Sequence, residues 1–452
     1  MRITVVGAGY VGLVTGLTLA ETGRHVTLLD VDKGRIERLQ RGEPPIYEPG
    51  LKELLAAQLA AGRLTFTTRY DEAVPGRDLV FLCVGTPSTP LGATDLGQRA
   101  AALEAMALHL DPEAVVVIKS TVPVGTNRWA KDMITCKRNR AGLPSDRLAV
   151  ASNPEFLREG SAVEDSRHPD RIVIGATDVR AFLLLERLFA GSGVPILRVL
   201  PEEAELIKYA ANAFLAQKIS FINLMADLCE ASGADIRRVA EGMGLDPRIG
   251  PRFLAAGLGF GGSCFPKDVR SLAHQLKAKG LSAALLEETL RINRNRVSLA
   301  LRKLNTALGG VAGRRIAVLG VAFKPHTDDV RESQSLKLVE ALVAASAHVA
   351  AYDPEATATA ARLVPGVQWA PQAEQATQGA DAVVLATDWP QFSELPWERV
   401  LAGMRTKVVL DCRNQLEGAK IASLGARYLG MGVPQAEAFG QERKPPPGGP
   451  TL

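Results

Sequence analysis

Residues 1–175 alternate short runs of β-branched residues with longer amphipathic stretches. This alternation is typical of a parallel sheet covered by helices. The predicted strands of this region are Ile3–Val6, His25–Leu29, Leu79–Val84, Ala114–Ile118, Leu148–Ser152 and Arg171–Ile174. We therefore predict a doubly wound α/β domain in the first part of the chain.

The strand pattern disappears between Pro201 and Arg296. Residues Ala204–Glu230 are apolar on nearly every face, which predicts a long helix buried between domains. Strands and helices then alternate again, and the predicted strands are Arg315–Leu319, His348–Tyr352, Ala382–Ala386 and Val408–Asp411. The pattern predicts an α/β chain in which a helical middle joins two α/β domains.

Composition and charge narrow the class of protein. A chain of 452 residues is too long to fold around one hydrophobic core, and with 46% hydrophobic and 23% charged residues it has the composition of a globular protein. The net charge of +4 arises from 53 basic and 49 acidic residues that are interspersed, so we expect no nucleic-acid partner. After the first predicted strand and helix, no apolar run approaches the roughly 18 residues of a membrane span, and we expect no membrane partner.

The cysteines argue against disulfide bonds and bound metal. The sequence has five, and they are Cys83, Cys136, Cys229, Cys264 and Cys412. Their odd number, wide spacing and lack of a C-x-x-C pair disfavour a disulfide framework and a zinc site, and favour a reducing cytoplasm. Apart from Cys264, we expect them to be small buried hydrophobic residues.

A glycine motif predicts a dinucleotide site. Gly7-Ala8-Gly9-Tyr10-Val11-Gly12 follows the strand Ile3–Val6 and opens an apolar helix, and Asp30 ends the next strand. In this context the glycines allow a tight turn, a close approach of pyrophosphate and close helix packing, although they are also compatible with turns alone. A carboxylate at Asp30 accepts a ribose 2′-hydroxyl and favours NAD, whereas Lys33 and Arg35 nearby leave NADP open.

Polar residues follow several other strands at the edge where ligands bind in such sheets. Thr86, Ser120 and Thr121 are expected to border the nicotinamide half of the site, but a threonine there equally suits a turn or a helix cap. Glu155 and Glu159 follow the fifth strand. One of them is suited to activating water, and the pair also suits the start of a helix.

The segment from Gly257 to Asp268 predicts a reactive thiol. Gly257–Ser263 contains four glycines and can wrap closely around a ligand, and Pro266 suits the first turn of a following helix. Cys264 is then at a helix N-terminus, where the dipole and Lys267 favour the thiolate. Asp268, one turn on, is placed to exchange a proton.

Lys208 and Asn212 lie one turn apart on a mostly apolar helix. A buried charge is costly without a purpose, and an ammonium and an amide on one face can stabilise an oxyanion. The alternative is a lysine whose stem is buried and whose charge reaches solvent.

Together these motifs resemble the UDP-glucose 6-dehydrogenase family, within the UDP-glucose/GDP-mannose dehydrogenases, over about residues 1–435. The markers are GAGYVG, VGTP, STVPVGT, NPEFLREGSAVEDSRHPDRIVIG, KYAANAFLAQKISFINLMADLC, GFGGSCFPKD and GVAFKPHTDDVRES. The resemblance implies two Rossmann-like doubly wound domains joined by a long helix. It also implies oxidation of the C6 alcohol of UDP-glucose to UDP-glucuronate by two NAD in succession, through a thiohemiacetal and a thioester on Cys264.

Two alternatives stay open under this resemblance. The first is the same chemistry on UDP-N-acetylmannosamine or GDP-mannose, although EFLREGSAVEDSRHPDRIVIG is more similar to the UDP-glucose enzymes. The second is a sensor that binds the nucleotide sugar and NAD without turnover. The intact set of Cys264, Lys208 and Asp268 argues against the sensor, because binding alone needs no activated thiol.

The resemblance also implies roles for individual residues. Lys208 and Asn212 are similar to the oxyanion-stabilising pair, and Asp268 is similar to a carboxylate that positions water or a proton. Thr121 is similar to a water-binding threonine, and Glu159 to the group that activates water for thioester hydrolysis. The implied cofactor contacts are Gly7, Gly9, Tyr10, Val11, Gly12, Asp30, Arg35, Thr86, Thr121, Glu159, Lys267 and Arg331. The implied substrate contacts are Glu155, Phe156, Leu157, Lys208, Asn212, Arg248, Phe260, Gly261, Lys324 and Arg413.

Arg248 resembles an arginine that reaches the substrate of a partner subunit, so we expect a homodimer or a higher homo-oligomer. The expected organisation is an NAD-binding Rossmann domain at 1–200, a central helical and dimerisation domain at 201–300, and a UDP-sugar-binding domain at 301–435. The proline-rich residues 436–452 are expected to be a disordered tail.

Overall fold

The computed structural model describes residues 1–434, and the predicted tail at 436–452 lies outside the described residues. The chain divides into two compact units. The first comprises Met1–Ala211 and Arg270–Ser282, and the second comprises Asn212–Val269 and the residues from Ala283 onward.

The first unit contains a twisted sheet with strand order β3-β2-β1-β4-β5-β6-β7-β8. Its strands are β1 Ile3–Val6, β2 Val26–Leu29, β3 Leu64–Thr67, β4 Leu79–Leu82, β5 Val115–Ile118, β6 Ala149–Ser152, β7 Ile172–Gly175 and β8 Ile196–Val199. Neighbouring strands are parallel, except that β6 and β7 pair antiparallel. Strands β1, β2, β4, β5, β6 and β7 are buried along their length, because helices cover the sheet.

The helices of this sheet are α1 Tyr10–Glu21, α2 Lys33–Gln40, α3 Leu51–Ala60, α4 Tyr70–Ala73, α5 Gly97–Ala107, α6 Thr126–Arg140, α7 Ala162–Arg167 and α8 Val179–Phe189. The middle of the chain is helical, as predicted, with α9 Pro201–Ser232, α10 Ile236–Gly244, α11 Phe265–Ala278 and α12 Ala284–Leu308. None of the helices in residues 1–434 combines the length and the apolar character needed to cross a bilayer.

The second unit contains a parallel sheet with strand order β11-β10-β9-β12-β13-β14. Its strands are β9 Arg315–Leu319, β10 His348–Tyr352, β11 Gln368–Trp369, β12 Ala382–Leu385, β13 Val408–Asp411 and β14 Arg427–Leu429. Its helices are α13 Gln334–Ala344, α14 Thr357–Ala361, α15 Ala373–Thr377, α16 Pro390–Ser393, α17 Trp397–Ala402 and α18 Gly418–Ser423. Two doubly wound sheets and a helical middle confirm the predicted fold class.

The predicted strands all form, and no strand end differs from its prediction by more than two residues. The strands missing from the prediction are β3, β8, β11 and β14, and each lies at the edge of its sheet. An edge strand has one neighbour and is short or partly exposed, so its residues carry a weak hydrophobic pattern.

The long helix α9 differs from its prediction, because it is not buried on nearly every face. Apolar side chains are exposed along one side of it, and in the second unit these are Phe214, Phe221, Leu224 and Leu228. Their spacing of seven, three and four residues forms a continuous stripe on one face of a helix. The apolar composition of this helix therefore does not reflect burial within one chain.

Candidate active site

The glycine motif folds as a tight turn between β1 and α1. Gly7 has a φ of 96°, and a Cβ atom there would meet the backbone of Cys83 at 3.0 Å. A Cβ atom on Gly12 would lie 1.8 Å from the Gly7 carbonyl oxygen, so only glycine allows this packing. Gly9 is open, with nothing within 4 Å of its Cβ position. The turn, the open approach and the close packing match the roles predicted for a dinucleotide site.

Asp30 stands at the end of β2 beside this turn. Its Oδ2 accepts hydrogen bonds from the Ala8 N–H at 2.7 Å and from Arg35 Nη1 at 2.8 Å. Because the Arg35 guanidinium is paired with Asp30, its positive charge is already neutralised and is a poor partner for a 2′-phosphate. Lys33 is exposed and lies near Glu37. The residues present therefore fit NAD, and the contacts of Asp30 with ribose hydroxyls and of the start of α1 with the pyrophosphate stay predictions.

A small pocket lies in the first unit at the carboxyl ends of β5 and β6. Its polar lining residues are Ser120, Thr121, Ser152, Glu205 and Lys208. Thr121 is thus brought together with the lysine predicted for catalysis. Thr86 is buried just after β4, and its contact with the cofactor stays a prediction.

Lys208 is buried, with 4% of its surface exposed, so its charge does not reach solvent. Its Nζ lies 3.1 Å from Glu155 Oε1 and 5.3 Å from the centre of the Phe156 ring. The Leu157 N–H donates to the other oxygen of Glu155 at 3.0 Å. The segment after β6 therefore gives the buried ammonium both a counter-ion and an aromatic face.

The two glutamates of this segment do not start a helix. Glu155 is committed to Lys208, and helix α7 begins later, at Ala162. Glu159 is buried beside Gly160, whose φ of 82° lets the chain turn into α7. The helix-start alternative is thus wrong, and the predicted role of Glu159 toward water stays open to test.

Two other ionisable groups lie in this part of the first unit, the buried Glu205 and the partly buried Lys119. Burial raises the pKa of Glu205 to about 7, although its carboxylate accepts the N–H groups of Gly125 at 2.6 Å and Asn127 at 2.7 Å. Burial lowers the pKa of Lys119 to about 8, and its Nζ donates to Asn153 Oδ1 at 2.9 Å. Glu205 lies one turn before Lys208 on the same face of α9, a spacing that was visible in the sequence.

In the second unit, Cys264 immediately precedes α11, as predicted. The thiol is partly exposed, and its Sγ lies 3.6 Å from Ser263 Oγ. The start of α11 favours an anion at this position. The Nζ of Lys267 is paired with the Asp268 carboxylate, so the contribution of Lys267 to the thiolate is reduced by that counter-ion.

The other cysteines differ from Cys264 in their surroundings. Cys83, Cys229 and Cys412 are buried, as predicted, and burial raises the pKa of Cys83 and of Cys412 to about 12. The prediction was wrong for Cys136, which is exposed. It lies on the outer face of α6, away from the buried Ile134.

Asn212 and Asp268 meet in the second unit. Asn212 Nδ2 donates to Asp268 Oδ2 at 2.7 Å, and Asp268 is fully buried. Asp268 lies one turn after Cys264, whose carbonyl oxygen accepts its N–H at 2.8 Å. The amide on α9 and the carboxylate on α11 therefore orient each other within one turn of the thiol.

Residues Gly257–Gly262, here called the glycine loop, are held by helix α12. The side-chain amide of Asn293 accepts from the Phe260 N–H at 2.7 Å and donates to the Phe260 carbonyl at 2.9 Å. Arg296, also buried, donates to the Gly257 carbonyl at 3.1 Å. The sequence reasoning missed both. Their signal in the sequence was that both are polar residues within a mostly apolar helical stripe, which includes Leu286, Leu290, Ala300 and Leu304.

The remaining predicted substrate residues of the second unit fall into two groups. A Cβ atom on Gly261 would meet Phe323, the neighbour of Lys324, and the Gly262 N–H donates to the Arg331 carbonyl at 2.9 Å. Arg413 donates to the Ala386 carbonyl and lies with its Nη1 3.5 Å from the Gly259 carbonyl. These residues surround the glycine loop. In the described residues Arg248 stands apart, 87% exposed and paired with Asp246.

A glycine turn with its ribose-side carboxylate, a second doubly wound sheet and a thiol at a helix start define a nucleotide-dependent dehydrogenase. Within residues 1–434, no group of three or more His, Cys, Asp or Glu side chains is arranged to hold a metal ion.

Comparison with known proteins identifies the family. Models of the UDP-glucose/GDP-mannose dehydrogenase family match residues 1–192 as the NAD binding domain, 202–295 as the central domain and 317–418 as the UDP binding domain. The chain belongs to the UDP-glucose/GDP-mannose dehydrogenase family. It is therefore an oxidoreductase that uses NAD, and the resemblance inferred from its motifs is confirmed.

Individual relatives match almost the whole chain. A UDP-glucose 6-dehydrogenase of Bacillus subtilis is 44% identical over 433 residues, covering 96% of this chain and 98% of the relative. One of Pseudomonas aeruginosa is 45% identical over 452 residues, with the same coverage. The solved UDP-glucose dehydrogenase of Pyrobaculum islandicum superposes with a TM-score of 0.88 at 41% identity, covering 96% of this chain and 98% of that one. A UDP-D-ManNAc dehydrogenase of Pyrococcus horikoshii gives 0.85 at 30% identity, covering 96% and 99%.

Proposed function

We propose that this protein oxidises the C6 alcohol of UDP-glucose to the carboxylate of UDP-glucuronate. The observation that carries the proposal is the accessible thiol of Cys264 at the start of α11, one turn from the buried Asp268–Asn212 pair. Relatives named UDP-glucose 6-dehydrogenases, at 40–45% identity, support the choice of sugar. The UDP-D-ManNAc enzyme is less similar, at 30%.

The reaction balances as one alcohol, two NAD and one water giving one carboxylate, two NADH and three protons. NAD supplies the hydride acceptor of both oxidations. The Cys264 thiol adds to the C6 aldehyde and forms a thiohemiacetal. Loss of hydride from that carbon gives a thioester, and addition of water followed by C–S cleavage releases the acid and the thiol.

The surrounding residues suit the charges of these steps. The buried ammonium of Lys208 and the amide of Asn212 are donors for an oxyanion at C6. Asp268, held by Asn212, is placed to orient a proton or water near the thiol. We assign Thr121 and Glu159, both in the first unit, to binding and activating the water that attacks the thioester. Glu155 provides a counter-ion to the Lys208 ammonium in a region poor in solvent.

The test is the stoichiometry of a purified-enzyme reaction. We expect two NADH per UDP-glucose consumed, little NADH with UDP-N-acetylmannosamine or GDP-mannose, and little NADPH when NADP replaces NAD. Cys264→Ser is expected to abolish formation of the acid, because the serine hydroxyl cannot provide a thiolate. The control is Cys136→Ser, which alters an exposed cysteine and should leave turnover intact. One NADH per sugar, or full acid production by Cys264→Ser, would refute the mechanism.

We also propose a homodimer in which the exposed stripe of α9 packs against a second copy of the chain. The stripe consists of Phe214, Phe221, Leu224 and Leu228, and its heptad spacing suits helix-to-helix packing. The exposed Arg248 is then available to a second subunit. In this proposal residues 1–200 bind NAD, 201–300 form the dimer and 301–435 bind the UDP sugar. The lack of disulfide bonds among the cysteines of residues 1–434 supports a cytoplasmic location.

A further inference from the structure

Glu48 lies in the segment between α2 and α3, which has no regular secondary structure. Its surface is only 5% exposed, whereas Tyr47, Pro49 and Gly50 beside it are exposed. No pattern in the sequence marked this residue. A buried carboxylate is costly unless hydrogen bonds replace its water, so its partners are informative.

The Glu48 carboxylate accepts hydrogen bonds from three donors. Oε1 accepts from the Ala162 N–H at 2.6 Å, and Oε2 accepts from the Gly160 N–H at 2.6 Å. The Tyr10 hydroxyl also donates to Oε2. The same hydroxyl accepts from the Gly160 N–H at 3.0 Å, so the three groups form one closed cluster.

These donors come from two segments with different tasks. Tyr10 is the first residue of α1 and directly follows the glycine turn at which the cofactor binds. Gly160 directly follows Glu159, the residue assigned to water activation. The Glu48 carboxylate is therefore hydrogen-bonded both to the start of the dinucleotide-binding helix and to the end of the loop that contains Glu159.

Hydrogen bonds from backbone N–H groups to a carboxylate are short and strong, and they fix the main chain rather than a flexible side chain. With the Gly160 and Ala162 N–H groups held, the main chain next to Glu159 has little freedom. A catalytic group displaced by about 1 Å loses on the order of a hundredfold in rate. The hydrogen-bonded cluster around Glu48 is therefore suited to holding Glu159 in position.

We propose that Glu48 is a positioning residue that couples the cofactor-binding turn to Glu159 and thereby sets the rate of thioester hydrolysis. This inference rests on the proposed function. In the step concerned, a water oxygen adds to the thioester carbonyl carbon and Glu159 takes a water proton. The C–S bond then breaks, and the electron pair leaves with the Cys264 sulfur. Glu48 touches none of the reacting atoms.

The test compares Glu48→Gln with Glu43→Gln in the full-length enzyme with UDP-glucose and NAD. Glu43 is exposed on the same segment and pairs with Arg41, so it is a matched control. The glutamine amide keeps the shape of Glu48 but places an NH2 group against a backbone N–H. We expect kcat to fall about tenfold to a hundredfold, with the KM for UDP-glucose changed less than about threefold. Glu43→Gln should behave as the wild type.

The decisive measurement is the state of Cys264 after an acid quench. Because both hydride transfers precede hydrolysis, Glu48→Gln should release two NADH per subunit rapidly and then slow down. Mass spectrometry should find a larger share of acyl-Cys264 than in the wild type. A slower enzyme without trapped acyl-Cys264 would show that Glu48 acts on another step and would overturn the inference.

Tyr10→Phe keeps the inference testable if Glu48→Gln fails to fold, because it removes one donor and leaves both backbone bonds of Glu48. We expect it to trap acyl-Cys264 to a smaller degree. Where both variants fold, the double variant should lose less than the sum of the two single losses. If Glu48→Gln matches Glu43→Gln, only the Glu48 inference fails. If the wild type makes no NADH from UDP-glucose, the proposed function fails as well.

Discussion

Glu205 shows how burial sets the charge of a residue in this fold, and it allows a quantitative prediction. Its side chain is almost fully buried, and burial raises its pKa from 4.5 to about 7. Glu202 on the same helix adds to the rise, while the backbone N–H groups of Gly125 and Asn127 and the charge of Arg99 oppose it. Glu205→Gln removes the titration and keeps the shape.

The direction in which stability changes with pH follows from proton binding. An acid with a raised pKa holds more protons in the folded chain than in the unfolded chain between pH 4.5 and about 7. The free energy of unfolding therefore falls as the pH rises through this interval, and the penalty is complete above it. At about 1.4 kcal/mol per pKa unit the full penalty is about 3 kcal/mol. Glu205→Gln should gain stability relative to the wild type as the pH rises.

The assay is urea unfolding followed by far-UV circular dichroism between about pH 5 and pH 8. For a slope of about 3 kcal/mol per M, the midpoint difference between the variant and the wild type should change by about 1 M across this range. Glu104→Gln, exposed on α5 and not among the charges that shift the pKa of Glu205, is the control and should follow the wild type. Parallel curves for Glu205→Gln and the wild type would show that Glu205 does not titrate in this interval, which would refute the reasoning.

The remaining predictions concern the glycine loop and the proposed dimer. Asn293→Ala leaves the buried N–H of the glycine loop without its acceptor, so the free energy of unfolding should fall by about 1–3 kcal/mol and NADH production about tenfold. Asn295→Ala, which changes an exposed residue, is the control, and equal rates for the two variants would show that Asn293 does not hold the glycine loop. Phe214→Glu combined with Phe221→Glu should raise the dimer dissociation constant at least about a hundredfold in sedimentation velocity. Leu281→Glu, exposed outside α9, is its control, and an unchanged dimer would exclude this interface.

The local signals of this sequence were sufficient for much of the fold and for the chemical type of the site. The central strands are buried on both faces, so their continuous apolar runs are visible without the structure. The glycine turn and Asp30 belong to one strand–helix–strand unit. Cys264 and the start of α11 are adjacent in the chain. Each of these features depends on steric and hydrophobic rules that act within a short segment.

Features that depend on distant segments were decided only by the tertiary structure. The edge strands have weak patterns and exist because a neighbouring strand pairs with them. The stripe on α9 and the exposed Cys136 show that an apolar or small residue does not reveal whether another segment covers it. Neighbours in the chain could not predict either case.

The hydrogen-bond partners of buried polar groups are the clearest example of what the sequence could not predict. The sequence selected Lys208, Asn212 and Asp268 as chemically suited residues, but it did not pair Lys208 with Glu155 or Asn212 with Asp268. The role of Glu48 could not be predicted from the sequence, because its hydrogen-bond donors lie 38 and more than 100 positions away in the chain. A residue type determines which hydrogen bonds a side chain needs, and the path of the whole chain determines which groups provide them.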